Sequence, residues 1–185
     1  MNYEIYKNVR DASWRFLIRH NICSLPVDLK PILFEMGITV RKDNAGILRA
    51  DERGRAVNEN GNLHIIVRDT PVPQKRYTIM HEIGHIVLGH TEASGSSDVN
   101  EYAAERFAIG VLAPACVLWG TGVKTEEEIA ELCSISITAA KNREKRMPEL
   151  YTRNRFLISP LEKQVFEQFS DFINDKMGKF DIQNV

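Results

Sequence analysis

Apolar positions recur along this chain in two rhythms, and the switch between them separates a helical start, a short run of strands and a long helical remainder. Ile5, Val9, Trp14, Phe16 and Leu17 are spaced as on an amphipathic helix between Tyr3 and His20. Pro26-Val27-Asp28 opens a second helix that runs to Phe34-Glu35-Met36 and stops at Gly37. Ile38-Thr39-Val40 reads as a β-branched strand, and Gly46–Leu48 and Gly54–Val57 as two short strands split by polar turns. Asn58-Glu59-Asn60-Gly61 is a turn signal ahead of Leu63–Val67, the strongest strand pattern in the chain. The expected product is a small twisted sheet of three or four strands.

From Val72 onward the period lengthens to that of a helix. Ile79, Met80, Ile83, Ile86 and Val87 share a stripe, and Gly89 stands where such a helix ends. A further helix spans Asp98–Ala113 and is closed by Pro114. Thr125 followed by Glu126-Glu127-Glu128 marks a helix start, which predicts short helices at Glu126–Cys133 and Ser136–Arg146. Val165, Phe166, Phe169, Phe172 and Ile173 predict one last helix between Leu161 and Met177. The pattern is that of an α+β fold.

Composition narrows the classes. With 185 residues and 43% apolar residues, the chain can bury a real core as one domain, or one domain with a small appendage. Lys and Arg number 24 against 25 Asp and Glu, so no global positive field draws the chain to nucleic acid or an anionic membrane. The polar start Met-Asn-Tyr-Glu does not resemble a signal peptide. Cys23, Cys116 and Cys133 are odd in number and far apart, which predicts reduced thiols and a cytoplasmic location. The expected organisation is a domain over residues 1–150 and a linker with a C-terminal helix over 151–185, packed on the same domain.

One segment of the long helix carries chemistry. His81-Glu82-Ile83-Gly84-His85 matches His-Glu-x-x-His inside a predicted helix. Residues four apart share a helix face, so both imidazoles can meet one ion, while Glu82 is displaced around the helix and can reach a water without being a ligand. A carboxylate there can take a proton from that water and pass it to a leaving amine. A catalytic zinc site needs a third protein ligand. Glu101, with fifteen residues between it and His85, opens the next helix and is the leading candidate, with Asp98 and Glu92 as rival oxygens. Glu105, four residues on, lies on the same face and is a candidate partner for the outer ring N–H of a ligand histidine.

At this point HEIGHIVLGH (His81–His90) followed by NEYAAERFAIGVLAP (Asn100–Pro114) resembles the ImmA/IrrE family of metallopeptidases. The resemblance covers roughly Lys7 to Met147 and includes the order of the earlier segments. Carried over position by position, it implies Zn2+ as the cofactor, His81, His85 and Glu101 as its ligands, and Glu82 as the catalytic general base. It departs from the usual pattern at Ala103 and Glu105, where the family more often has Glu and Asn, and neither change touches the implied ligands. The resemblance also implies a zincin-like, gluzincin-type helical core and, in several relatives, cleavage of a transcriptional repressor in mobile elements or stress responses.

Other features have blander readings. His90 follows Gly89 at a helix end, where a capping or surface role competes with one in the site. His64 lies in the best strand, facing either way. Tyr77 and Tyr102 have the right type for oxyanion donors, but aromatic residues in helices are usually core. Thr125–Arg146 resembles a helix-turn-helix, followed by a basic run of Lys141, Arg143, Lys145, Arg146, Arg153 and Arg155. A turn glycine is absent, and packing is the favoured reading of these helices over DNA reading. The expectation is therefore a zinc endopeptidase acting on a protein or peptide, its substrate paired as an added strand near Leu63–Val67. The alternatives are a zinc-fold protein acting on a transcription factor by contact, and a DNA-binding regulator.

Overall fold

In the computed structural model, which describes residues 3–90, 97–152 and 156–183, the strand patterns of residues 38–67 become three strands. These are β1 (Ile38–Lys42), β2 (Gly54–Glu59) and β3 (Asn62–Val67), in the order β1-β3-β2. The central strand β3 runs parallel to β1, with Ile38 opposite Leu63, and antiparallel to β2, with Gly54 opposite Val67. The hairpin joining β2 to β3 turns on Asn60 and Gly61, both at positive φ (54° and 86°), the backbone that a two-residue loop requires. The Asn58 side-chain oxygen accepts the Gly61 N–H at 2.9 Å and fixes the turn. The chain divides into two units, Met1–Val9 with Asp28–Ala108, and Arg10–Val27 with Ile109–Val185.

The sheet belongs to the first unit. Two expectations about it change. Residues 46–48 are no strand: the Asp43 carboxylate accepts the N–H groups of Ile47 (2.8 Å) and Leu48 (3.1 Å), and Gly46 sits at φ +67°. The Arg68 guanidinium then donates to the carbonyls of Arg49 and Glu52, both at 2.6 Å, so side chains hold this loop where sheet pairing was expected. Leu63–Val67 cannot accept an added strand, because β3 is paired on both sides; the edge strand beside it is β2.

Helices complete the unit. α1 (Tyr3–Arg19) begins in it, and α2 (Leu29–Glu35) is capped by Asp28, whose carboxylate accepts the Lys30 N–H at 3.0 Å. α3 (Val72–Val87) packs on β2 and β3 and buries Ile79, Met80 and Ile83. α4 (Asp98–Leu112) meets α3 at Gly84. A Cβ on Gly84 would stand 3.1 Å from the Phe107 ring and 3.2 Å from the Ala104 carbonyl oxygen, so only a glycine lets the two helices approach this closely. Ala104, Phe107 and Ala108 are fully buried there.

The second unit is helical. It holds the later part of α1, the end of α4, α5 (Ala115–Gly120), α6 (Glu126–Cys133), α7 (Ile137–Glu144), α8 (Met147–Thr152), α9 (Pro160–Gln168) and α10 (Ser170–Gln183). Thr125 and Glu128 form a reciprocal capping box at the start of α6. Ser134 takes the left-handed position (φ 50°) between α6 and α7 that a turn glycine usually fills. Ile129, Cys133, Ile135 and Ala140 are buried in this pair. Of the basic run, Arg143 donates to the Ile109 carbonyl at 2.8 Å, Lys141 and Arg146 lie near Glu126 and Glu149, and Arg153 and Arg155 fall outside the described residues. The single last helix expected from the sequence is two, separated at Phe169, whose ring is fully buried between Val165 and Ile173 along the stripe. Gln168 donates to the Leu17 and Ile22 carbonyls (2.9 and 2.7 Å), satisfying acceptors at the end of α1.

Candidate active site

The helical period of α3 puts His81 and His85 on one face, one turn apart, and the rings meet edge to face with centroids 4.7 Å apart. Their Nε2 atoms are 3.0 Å apart. Glu101, in the first turn of α4, reaches across with one oxygen to each ring: 3.2 Å to His81 Nε2 and 3.6 Å to His85 Nε2. The contact at Gly84 makes this reach possible, since it lets α4 come against α3 three residues below Glu101. Of the two rival oxygens, Asp98 is not part of this cluster, and Glu92 lies outside the described residues.

The donor set fits a metal ion. One donor atom from each of the three residues lies within 4.8 Å of the others. Bonds of about 2.0–2.1 Å at tetrahedral angles separate donors by roughly 3.3–3.4 Å, close to the distances of 3.0, 3.2 and 3.6 Å found here. Burial and the neighbouring His85 push the His81 pKa down, against the pull of Glu101. The ring is therefore neutral near pH 7 and its lone pair is open to a cation.

Glu82 points elsewhere. It is 8% exposed, and its Oε2 accepts the backbone N–H of Ala56 at 2.9 Å. Burial pushes its carboxyl up to about 7, with the Ala56 N–H opposing and the charge of Glu101 adding to the rise. Arg68 N–H bonds to the Arg53 carbonyl, so residues 53, 55, 57 and 59 turn their backbone groups toward β3. Ala56 therefore points its N–H off the outer edge of β2. A Cβ on Gly54 would lie 2.5 Å from the Thr78 methyl and 3.1 Å from the Ile66 carbonyl oxygen, so this glycine is what brings the edge down onto α3.

These groups line a cleft of about 820 Å³. One wall carries His81, Glu82, His85 and Glu101, and the other is the loop that precedes β2 together with the start of that strand, Gly54 to Ala56. On that loop Glu52 accepts from the Arg49 N–H (2.9 Å) and from the Arg55 guanidinium (2.8 Å). Burial alone would raise the Glu52 carboxyl; the Arg49 N–H and the two guanidiniums bring it below the usual range.

The remaining candidates sort clearly. His90 lines the cleft with its Nδ1 3.1 Å from His85 Nδ1, so among the described residues it, not Glu105, meets the outer nitrogen of that ring. Glu105 lies on the cleft wall with its side chain exposed. Tyr77 also lines the cleft and its hydroxyl donates to the Glu105 carbonyl at 3.4 Å, while Tyr102 lies under the Arg106 guanidinium. His64 is buried in β3, 3.7 Å from a Glu59 oxygen, and is not among the cleft residues. The sequence placed a strand at Gly54–Val57 but gave no sign that the loop ahead of it, or the Ala56 N–H, belongs to the site; a backbone donor leaves no mark in a residue pattern.

A small mixed sheet, a helix bearing paired histidines and a buried acid beside them together define a protein of metallopeptidase type. The chain matches the family model of peptidase family M78, described as the IrrE N-terminal-like domain, over residues 35–145, and it belongs to that family, the ImmA/IrrE metallopeptidases. A comparison with curated proteins gives no match. Family membership carries with it a peptidase-type function, a metal ion and a peptide or protein substrate.

Proposed function

We propose that the protein is a zinc-dependent endopeptidase of zincin type, with His81, His85 and Glu101 holding the metal and Glu82 acting as general base. The observation that carries the reading is the pairing of a His-His-Glu cluster with a neighbouring buried carboxylate that shares the cleft but not the cluster. Zinc, when bound, supplies Lewis acidity that polarises a carbonyl and lowers the pKa of water. Glu82 Oε2 is occupied by the Ala56 N–H, which leaves Oε1 to take the proton from the attacking water and deliver it to the leaving amine. A carboxyl lifted to about 7 suits both halves of that transfer near neutral pH. The outer edge of β2, beside Glu82, is the proposed docking line for an extended substrate chain. A transcriptional repressor is the proposed substrate class, and the cytoplasm the proposed location.

Two measurements test this. Metal analysis of the purified protein should give about one zinc per chain, sharply reduced in Glu101→Ala. Incubation of the zinc-loaded protein with a candidate repressor should give defined fragments by mass spectrometry. A repressor bound intact would instead favour the non-catalytic reading, in which the zinc fold acts by contact.

A further inference from the structure

His90 occupies a position whose purpose the ligand set alone does not explain. α3 ends at Leu88 in a double hydrogen-bonded turn: Gly89 N–H bonds to the Ile86 carbonyl (3.2 Å) and His90 N–H to the His85 carbonyl (2.9 Å). Gly89 takes φ +72°, a conformation that an L side chain rarely adopts. This reversal folds residue 90 back over residue 85. The two residues are thus joined twice, once through the backbone and once through the rings, whose Nδ1 atoms lie 3.1 Å apart with centroids at 5.1 Å and planes at 70°.

Two ring nitrogens at that distance need one proton between them, and the cluster decides which ring carries it. His85 turns its Nε2 toward His81 Nε2 and Glu101. A neutral imidazole that offers Nε2 as a lone pair keeps its proton on Nδ1. His90 Nδ1 must then be the acceptor, and the His90 proton sits on Nε2.

From this geometry we infer that His90 is a positioning residue for the metal centre: it accepts the His85 Nδ1–H, fixes that ring's rotation and tautomer, and raises the basicity of Nε2. The inference rests on the metal-site reading above. Carboxylates and backbone carbonyls usually hold the outer nitrogen of a metal-binding histidine, and losing such a partner typically weakens metal affinity by about 10–100-fold. Here a neutral imidazole does the work, delivered by the helix C-cap.

The test compares zinc affinity of the full chain by chelator competition for wild type, His90→Ala and His90→Asn, with thermal midpoints of the three metal-free proteins. Asn can set its side-chain oxygen where His90 Nδ1 stands. His90→Ala should lose about 10–100-fold in affinity, His90→Asn should recover most of it, and the metal-free midpoints should agree. Nitrogen NMR on histidine-labelled, zinc-loaded wild type should show His90 protonated at Nε2, a readout that needs no variant to fold. Wild-type affinity in His90→Ala, no recovery in His90→Asn, or a proton on His90 Nδ1 would each overturn the role of His90 and leave the metal site standing. A wild type that takes up no zinc would overturn the metal site and this inference together.

Discussion

Glu82 and Ala56, 26 positions apart in sequence, share a hydrogen bond of 2.9 Å that ties the acid of α3 to the outer edge of β2. The bond engages one carboxylate oxygen of an acid that lines the cleft. It also couples two elements that the residue pattern treats separately: a helix that carries the proposed ligands and an edge strand that offers the proposed docking line.

Substituting the acid separates binding from chemistry. Glu82→Gln keeps the side chain's shape and an oxygen for the Ala56 N–H but removes the base. Zinc content should stay at the wild-type level while peptide hydrolysis falls by about 10²–10⁴-fold. Metal analysis and a cleavage assay on the same preparation check this, and an active variant would end the assignment of Glu82.

The helix crossing can be probed at Gly84. Gly84→Ala sets a Cβ 3.1–3.3 Å from Phe107 and the Ala104 backbone, so α4 must give way by a few tenths of an ångström. The expected cost is about 1–3 kcal/mol of stability. Glu101 rides on the displaced helix, so zinc affinity should fall as well. Denaturant unfolding and chelator competition measure the two effects, and unchanged values in both would show that α3 and α4 tolerate a wider approach.

Gly54 tests the strand side of the same cleft. A Cβ there meets the Thr78 methyl at 2.5 Å, which a rotation of Thr78 can relieve, and the Ile66 carbonyl at 3.1 Å, which it cannot. Gly54→Ala should lift β2 from α3 and lengthen the Ala56–Glu82 bond. Slower exchange of the Ala56 amide than of other edge amides, lost in the variant, is the expected hydrogen-exchange signature.

The loop facing the histidine cluster should loosen in acid. The Glu52 carboxyl titrates below its usual range in the folded protein. A depressed folded-state pKa contributes stability that is complete above the unfolded value of about 4.3 and is lost as pH falls through the folded value. Glu52→Gln should therefore cost about 1–2 kcal/mol at pH 7, with the gap to wild type closing below about pH 4. A gap that stays constant across this range would assign the loss to packing and not to charge.

What the sequence made legible follows from how local each signal is. Asn60-Gly61, Thr125 with Glu128, and Gly89 announce their structures because each turn or cap is decided within a few residues. The histidine pair was legible for the same reason, its spacing being one helical turn. Residues 46–48 misled because their apolar rhythm is real, yet the Asp43 carboxylate takes the Ile47 and Leu48 N–H groups that strand pairing would have used. The break at Phe169 has no glycine or proline to announce it. The place of β3 at the centre of the sheet depends on strand order, a long-range property that periodicity does not carry. His90 shows the intermediate case: Gly89 marked the cap, but that the cap would seat one imidazole on another needed three dimensions.

The loop held by Arg68 also bears on how this scaffold tolerates change. Its path is set by Asp43, Glu52 and the Arg68 guanidinium, whereas Asp51 and Arg53 project into the cleft from exposed positions. Glu52 thus both holds this wall and lines the cleft, whereas the Asp51 and Arg53 side chains line it without setting the loop's path. Sequence drift or deliberate grafting at 51 and 53 can rewrite what the cleft accepts while strand register and the histidine helix stay intact, which makes this short stretch the natural place to diversify selectivity.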